Sequence, residues 1–293
     1  HPVAHSFPTR RSSDLWLDWL RLRPHRRRVE APTQRRLVIG DIHGCSRTLR
    51  ALLADELRIT PADHVFFLGD LVSKGPDSLG VLEYVEELYA AGGQVTIVRG
   101  NHEEAILRAR ASGKSALRDL LERTQNSGLL DRKGKDLDPR WMAIMERSVY
   151  FVMLPDAVLV HGGVDYRRKD PFADGGSLVN ARETVYDATA AGDRPVVHGH
   201  TRSPLSSIIE NLVNRSSVLP MDNGAVGATP RKPFKLSEYG NLCCLDLDSW
   251  SLHVQPNRDI EDEERGRPAF SFSIRVSRDR AGIDTSPSLQ SAP

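Results

Sequence analysis

Gly40-Asp41-Ile42-His43-Gly44, which directly follows the apolar run Leu37-Val38-Ile39, decides the fold. Four other stretches share this construction, with a metal-binding side chain beside a glycine where an apolar run ends. They are Gly69-Asp70, Gly100-Asn101-His102-Glu103, His161-Gly162-Gly163 and His198-Gly199-His200-Thr201. One such stretch can arise by chance, whereas five in one chain indicate strands that deliver polar side chains to a shared site.

The spacing of the first three stretches predicts repeated strand–helix units. Asp70 follows Asp41 by 29 residues, and Asn101 follows Asp70 by 31. Apolar stripes predict helices over 46–57, with Ser46 as a possible N-cap, and from Asp77 or Ser78 to residue 91. This βαβαβ order predicts an α/β fold with parallel strands covered by helices.

The rest of the chain supplies a helical segment and further strands. Residues 102–148 read as helices broken near three glycines and predict an insert over the site, and a further helix is predicted over 177–190. Strands are predicted over 150–154, 157–160, near 196, over 218–221, 242–247 and 252–255. The second half is therefore richer in antiparallel pairs than the first.

The side chains at the strand ends form a mixed oxygen and nitrogen ligand set. They are Asp41, His43, Asp70, Asn101, His102, His161, His198 and His200. Such a set suits two divalent ions of manganese, iron or zinc type better than calcium or a thiolate zinc site. A carboxylate between two ions can bridge them, an arrangement that supports in-line phosphoryl transfer.

Composition excludes several other classes of protein. The 293 residues carry a formal net charge of +1, so the whole chain is not a polyanion binder. Three cysteines are too few for a disulfide scaffold and favour a reduced, cytoplasmic compartment. No apolar run approaches the roughly 20 residues that a membrane-spanning helix needs.

The chain divides into a leader, a catalytic domain and a tail. We expect residues 1–34 to be a disordered leader, and residues 6–15 resemble a translated sequencing adapter, so residues 1–15 should carry no function. Residues 35–256 form the predicted catalytic domain. Residues 257–293 form a mostly disordered tail, in which 270–276 could add an edge strand. Residues 16–29 are tryptophan- and arginine-rich, which fits either a polar leader or a basic helix that binds nucleic acid or a membrane surface.

The motifs Gly-Asp-Ile-His-Gly, Gly-Asp-Leu-Val-x-x-Gly and Gly-Asn-His-Glu closely resemble those of the calcineurin-like metallophosphoesterases. Within that family the chain is most similar to the phosphoprotein phosphatase branch, which includes bacterial serine/threonine phosphatases and diadenosine tetraphosphate hydrolases. The resemblance covers roughly residues 36–250. It implies a central β-sandwich of two mixed sheets flanked by helices.

The resemblance also implies roles for individual residues. One metal would be held by Asp41, His43 and Asp70, and the second by Asp70, Asn101, His161 and His200. A hydroxide that bridges the metals would attack phosphorus while His102, the catalytic histidine, protonates the leaving oxygen. Arg182 resembles the phosphate-binding arginine of the family, and Lys74 is a further candidate because it follows the Asp70 turn. His198 and Asp222 would support the ligands, although Asp222 could equally cap a turn.

The chain departs from the protein-phosphatase pattern Gly-Asp-x-Val-Asp-Arg-Gly at two positions. Ser73 stands in place of the aspartate that stabilises the protonated catalytic histidine, and Lys74 stands in place of the arginine. A weakened general acid suits leaving groups of low basicity. We therefore hypothesise that the enzyme favours phosphoanhydrides, such as dinucleoside polyphosphates or polyphosphate.

Three alternatives remain open at the level of sequence. The first is a serine/threonine protein phosphatase that acts on phosphoproteins rather than on small phosphorylated molecules. The second is an inactive binding module, which predicts that a metal position has been lost, and none has. The third is an RNA- or membrane-binding protein that acts through its arginine-rich leader. The identity of the metals and the oligomeric state are not encoded in these motifs.

Overall fold

The computed structural model describes residues 35–227, 238–259, 271–276 and 283–284. The strands are β1 Arg36–Ile39, β2 His64–Phe67, β3 Gln94–Ile97, β4 Phe151–Met153, β5 Val158–Val160, β6 Val196–His198, β7 Val218–Pro220, β8 Asn241–Asp246, β9 Ser251–Pro256, β10 Phe272–Val276 and β11 Ile283–Asp284. The α-helices are α1 Ser46–Arg50, α2 Ser78–Ala90, α3 Asn101–Ser112, α4 Lys114–Arg123, α5 Pro139–Glu146, α6 Gly175–Asn180, α7 Ala188–Ala191 and α8 Leu205–Val213. In the described ranges no helix is both long and apolar enough to cross a membrane. The predicted leader, with its basic segment 16–29, lies outside the described residues.

The larger sheet has seven strands in the order β11-β10-β9-β8-β1-β2-β3. The pairs β1–β2 and β2–β3 are parallel, with Val38 opposite Phe66 and Phe66 opposite Thr96. All other neighbours in this sheet pair antiparallel. The predicted βαβαβ unit therefore forms one side of a mixed sheet.

The smaller sheet has four strands in the order β4-β5-β6-β7, and it packs face to face against the larger one. Strands β5, β6 and β7 are parallel, while β4 pairs antiparallel with β5. Leu159 and Val197 of this sheet share one buried cluster with Val38 and Phe66 of the larger sheet. This packing confirms an α/β fold with a central sandwich of two mixed sheets.

Helices and loops cover the outer face of each sheet. Because side chains alternate along a strand, Leu37 and Ile39 point away from the sandwich interior and pack with Leu82 of α2. On the smaller sheet, Val158 packs outward against Leu178 of α6. The central strands are therefore buried on both faces, which explains why they read as continuous apolar runs.

The predicted cap at Ser46 is wrong. Cys45 occupies the N-cap position and Ser46 is the first residue of α1. The Ser46 hydroxyl, which we expected to accept a backbone N–H bond at the helix start, instead donates to Oδ2 of Asp77 at 2.5 Å, 31 residues away. After α1 the chain continues as a π-helix over Ala51–Glu56, which completes the helical segment predicted over 46–57.

The single helix predicted over 177–190 is also wrong. Its place is taken by the short helices α6 and α7 with an extended segment between them. In that segment the Val185 N–H donates to the Val164 carbonyl at 2.9 Å, and the Tyr166 N–H donates to the Val185 carbonyl at 3.1 Å. Pairing with a distant segment thus satisfies the backbone there and replaces local helix formation. Helix α8 was not predicted.

The helical insert over 102–148 is confirmed as α3, α4, a 3₁₀ turn over Ser127–Leu129, and α5, with a break at Gly113. The strand expected over 270–276 is β10, where Phe272 lies opposite Val254 of β9. Because β10 and β11 belong to the larger sheet, that sheet extends beyond residue 256, where we placed the end of the domain. The other tail residues lie largely outside the described ranges.

Candidate metal centre

The predicted ligands come together where the two sheets meet at the carboxyl ends of their parallel strands. Strands β1, β2 and β3 lead into Asp41, Asp70 and Asn101, while β5 leads into His161. Nε2 of His161 lies 3.0 Å from Oδ1 of Asn101, so the site spans both sheets. The sequence prediction that consecutive strand ends share one edge therefore describes the structure correctly.

One group of side chains surrounds Oδ2 of Asp70. Nε2 of His43 lies 3.4 Å from this oxygen and 3.8 Å from Oδ2 of Asp41. Nε2 of His102 lies 3.9 Å from the same Asp70 oxygen. Potential ligand atoms of His43, Asp70 and His102 all lie within 4.8 Å of one another. The distance of 3.9 Å from His102 to Asp70 is similar to the 3.8 Å from His43 to the predicted ligand Asp41.

A second group surrounds the other carboxylate oxygen of the same residue. Nε2 of His161 lies 3.4 Å from Oδ1 of Asp70, and Nδ1 of His200 lies 3.0 Å from Oδ1 of Asn101. Ligand atoms of Asp70, His161 and His200 lie within 4.8 Å of one another. Asp70 thus turns one oxygen towards each group, which is the geometry required of a bridging carboxylate.

Backbone carbonyls orient two of the histidines. Nδ1 of His161 lies 2.7 Å from the carbonyl oxygen of Leu68, and Nδ1 of His43 lies 3.2 Å from that of Val72. A carbonyl oxygen only accepts, so each Nδ1 carries the proton and each Nε2 lone pair faces the site. This arrangement holds both imidazoles in the tautomer that binds metals.

The turns that carry the ligands need an unusual backbone. His43, Asp70 and His200 all have φ between 47° and 63°, in the left-handed region that side chains rarely occupy. A Cβ at Gly199 would lie 2.1 Å from Oδ1 of Asp41, and one at Gly69 would lie 2.5 Å from a backbone nitrogen. Glycine beside each ligand therefore permits the close approach that gathers these side chains.

Glu103 is a buried acidic residue beside the candidate ligands that the sequence analysis did not select. Its buried carboxylate accepts backbone N–H bonds from Asp70, Leu71 and Gly100 at 2.8–3.0 Å, and one from Val72 at 3.3 Å. Burial, followed by repulsion from Asp70, raises its pKa to about 7. Glu103 fixes the turn that presents Asp70. The signal was its place in Gly-Asn-His-Glu at the start of a helix.

The electrostatics of the site fit divalent cations. Burial raises the pKa of Asp70 to about 7 and that of Asp41 well above its ordinary value, where repulsion from Asp222 adds to the effect. Burial lowers the pKa of His161 to about 3 and that of His200 to about 4. A divalent cation among these groups favours ionised carboxylates and neutral imidazoles, and the oxygen and nitrogen donors suit it.

Three cations lie around this centre. Nζ of the exposed Lys74 lies 2.8 Å from Nε2 of His43, so a metal at that nitrogen requires the ammonium to turn away from it. The charge of the exposed Arg182 lowers the pKa of His200, after burial and His161, and its carbonyl accepts a bond from Thr201. Burial raises the pKa of Asp222, and the charge of Arg202, which the sequence analysis did not select, is one of the smaller effects that oppose this rise.

The structure shows which groups Asp222, His198 and Ser73 contact. Oδ1 of the buried Asp222 accepts the N–H of Gly224 at 2.7 Å, which is the turn-capping alternative. Nδ1 of the buried His198 lies 3.0 Å from the carbonyl of the next residue, Gly199. The Ser73 hydroxyl accepts a bond of 2.7 Å from Asn126 of the helical insert. The contacts of Asp222 and His198 are therefore local, whereas that of Ser73 joins residues 53 positions apart.

Comparison with known proteins agrees with this geometry. The sequence pattern of the calcineurin-like phosphoesterase family matches residues 35–226. Serine/threonine-protein phosphatase 1 of Salmonella typhimurium is 46% identical over 92 residues, which are 31% of this chain and 40% of that protein. The symmetrical bis(5'-nucleosyl)-tetraphosphatase of Erwinia tasmaniensis is 44% identical over 91 residues, 29% of this chain and 32% of that protein. The chain thus spans less than half the length of these curated relatives.

A solved structure carries the fold comparison further. A candidate diadenosine tetraphosphatase superposes with a TM-score of 0.57 at 18% identity, over 80% of this chain and 99% of that one. At this identity the likeness concerns the fold alone. The described sandwich is therefore the fold of that protein.

Proposed function

This chain belongs to the calcineurin-like phosphoesterase family, and on that premise we propose that it is a two-metal phosphohydrolase that favours phosphoanhydrides. The family uses divalent metals, and its substrates are phosphorylated molecules. The observation that carries the proposal is the pair of ligand groups that share Asp70. The substrates we propose are dinucleoside polyphosphates or polyphosphate, in line with the tetraphosphatase name of one relative.

The proposed metal ligands are divided between the two groups. Asp41, His43 and Asp70 would hold one ion, and Asp70, Asn101, His161 and His200 the other. Manganese, iron and zinc all accept this donor set. Two bound ions would neutralise phosphate oxygens and lower the pKa of a water molecule near the phosphorus.

His102 is the proposed proton donor to the leaving oxygen. Its side chain is partly exposed at the centre, and burial, followed by the charge of Lys74, lowers its pKa to about 4. An imidazole of such low pKa is mostly neutral at pH 7 and is a poor general acid there. A phosphate leaving group needs little protonation, whereas a serine alkoxide needs much. This contrast favours anhydrides over phosphoserine.

Two exposed cations, Lys74 and Arg182, are the proposed phosphate contacts. Both are exposed beside the ligand groups, where a substrate phosphate could reach them. A guanidinium offers two parallel hydrogen bonds, while an ammonium offers a point charge. They would hold the phosphate oxygens that face away from the metals.

A serine/threonine phosphatase is the second candidate function. The segment that is 46% identical to a bacterial enzyme of that name favours it. The substitution of Ser73 for the family's aspartate opposes it, because no carboxylate stands at that position to stabilise a protonated His102. A phosphoprotein would then be the substrate in place of a small molecule.

A substrate panel tests the proposal. The full chain would be stripped of metal, reloaded with manganese, zinc or magnesium, and given a dinucleoside tetraphosphate, polyphosphate, a phosphoserine peptide and a simple aryl phosphate. We expect metal-dependent turnover with kcat/KM highest on the anhydrides. Faster turnover of the phosphopeptide would favour the second candidate, and no turnover with any metal would overturn both.

The leader and the cell compartment remain predictions. Residues 16–29 lie outside the described residues, and we propose that they are not needed for hydrolysis. Removal of residues 1–34 should leave kcat/KM unchanged, and the intact chain should show no salt-dependent binding to RNA or anionic vesicles. We also retain a cytoplasmic location as a proposal, since Cys45, Cys243 and Cys244 are all buried free thiols.

A further inference from the structure

The turn after Asp70 is held in a conformation that its residues rarely adopt. Ser73 and Lys74 have φ of 73° and 68°, and neither is a glycine. Consecutive side-chain-bearing residues remain in this left-handed region only where the surrounding structure determines their backbone. The contacts that fix the backbone of Ser73 therefore also fix the backbone of Lys74, from which the lysine side chain extends.

Local backbone contacts supply part of that restraint. The Ser73 N–H donates to Oγ of Ser78 at 2.8 Å, and the Gly75 N–H donates to the Ser73 carbonyl at 2.9 Å. A Cβ at Gly75 would lie 2.0 Å from the His43 carbonyl oxygen, so the turn packs tightly against the loop that follows β1. These contacts restrain the ends of the turn and leave the Ser73 side chain to be held from elsewhere.

Asn126, from the loop after α4, holds that side chain. Its Nδ2 donates to Oγ of Ser73 at 2.7 Å, and both residues are at least 97% buried. The same Nδ2 contacts the Thr124 carbonyl at 3.1 Å and Oγ1 of Thr124 at 2.9 Å. If the amide were turned over, its Oδ1 would face the Thr124 carbonyl oxygen, and the two oxygens would repel each other. The Thr124 contacts therefore fix the Asn126 amide with its nitrogen towards Ser73.

We propose that Asn126 is a positioning residue for phosphate binding by Lys74. Through Ser73, it fixes the turn from which the Lys74 side chain extends to within 2.8 Å of His43. The helical insert would thereby control one phosphate contact of the site without touching the substrate. This inference rests on the proposed function only in that Lys74 binds a substrate phosphate.

A double-mutant cycle tests the link. In the manganese-loaded full chain, Asn126→Ala and Ser73→Ala should each raise KM for the best anhydride about fivefold, with kcat changed less than twofold. The double variant should be no worse than either single one. In a Lys74→Ala background, Asn126→Ala should have no further effect on KM. An equal effect of Asn126→Ala with and without Lys74 would overturn the proposal.

Two controls separate a positioning role from a loss of structure. Ser127→Ala changes an exposed neighbour in the insert and should leave KM and the melting temperature unchanged. Asn126→Leu keeps approximately the size of the side chain but removes its hydrogen-bonding groups, so it should raise KM as Asn126→Ala does. If the Asn126 variants changed only the melting temperature and never KM, Asn126 would be structural and the proposal would fail.

Binding separates this inference from the proposed function. The dissociation constant of imidodiphosphate, a pyrophosphate analogue with a nitrogen bridge, can be measured by calorimetry on the same variants. If the chain hydrolyses nothing but the cycle still shows coupling in this constant, the proposed function fails and the inference stands. Hydrolysis could instead be normal while the effects of Lys74→Ala and Asn126→Ala on this dissociation constant are additive or absent. In that case the inference fails and the proposed function stands.

Discussion

The floor and the rim of the candidate site are built in different ways. The floor consists of the strand-end residues Asp41, His43, Asp70, Asn101, His102, His161 and His200, which are buried or half-buried. The rim consists of Lys74, Arg182 and Arg202, which are exposed on the connecting segments. Sheet geometry fixes the floor, whereas contacts between distant loops place the rim. We therefore expect the floor to set whether phosphoryl transfer occurs and the rim to set which substrates bind.

The largest expected effect is at the centre of the floor. Asp70→Asn replaces the carboxylate shared by both ligand groups with a neutral amide, so kcat should fall by about 10³-fold or more. Metal analysis of the purified variant should show fewer than two ions per chain. Asp119→Asn, on the exposed surface of α4, is the matched control and should behave as the wild type. A fully active Asp70→Asn would show that the floor does not depend on a bridging carboxylate.

Glu103→Gln tests whether the floor depends on its support. The amide nitrogen would face backbone N–H donors that now bind the carboxylate, so the Asp70 turn should loosen and kcat should fall about 10- to 100-fold. Glu104→Gln changes the next residue, which is also buried but pairs with Arg99 and Arg108 away from the ligands. Comparable losses of kcat in both variants would mean that burial, and not support of Asp70, decides the effect.

The pH dependence of metal binding tests the electrostatics of the floor. Without metal, burial raises the pKa of Asp70 to about 7, so the carboxyl holds a proton below that pH and must release it when a metal binds. The apparent affinity for manganese should therefore fall about fivefold as the pH drops from 7 to 6, because the ionised fraction of Asp70 falls from about one half to about one eleventh. Competition with a metal indicator at fixed ionic strength would measure it, and a flat profile over this range would contradict the shift.

The smallest expected effect is at the edge of the rim. Arg202→Met removes an exposed charge that acts on the pKa of Asp222 and not on that of a candidate ligand. KM should therefore rise only about two- to threefold, with kcat unchanged. Arg182→Ala, whose charge acts on the ligand His200, should raise KM more than Arg202→Met does. The reverse order would show that the phosphate chain of the substrate extends towards Arg202, and the KM of longer polyphosphates would then depend most on that residue.

Sequence reasoning singled out side chains that the structure brings together in the floor, because their signal is local. The floor residues lie in short stretches that follow apolar runs and contain a glycine, and the fold brings those stretches together at one edge. It missed Glu103 because four backbone donors become visible only when the Asp70 turn and the start of α3 are placed together. It missed the extended segment between α6 and α7 because the partner of Val185 is Val164, on another loop.

The contacts of Ser73 show the same limit. The sequence marked Ser73 as a departure from the family pattern, and that departure concerned its charge. Only the structure shows that its hydroxyl accepts a hydrogen bond from Asn126, a residue 53 positions away. Nothing in the insert sequence singles out Asn126, because a buried amide is identified by its partners and not by its neighbours in the chain.

The amino-acid sequence by itself indicated the α/β class and the candidate floor residues, and its resemblance to the family implied the sandwich. It could do so because continuous apolar runs and the glycines at strand ends are properties of each segment alone. Only the tertiary structure decided that the oxygens of Asp70 face opposite ligand groups, that Glu103 supports its turn, and that Asn126 holds Ser73. Those contacts join residues such as His43 and Asp70, 27 positions apart, and Asp70 and His161, 91 positions apart, and their distances depend on how whole elements pack.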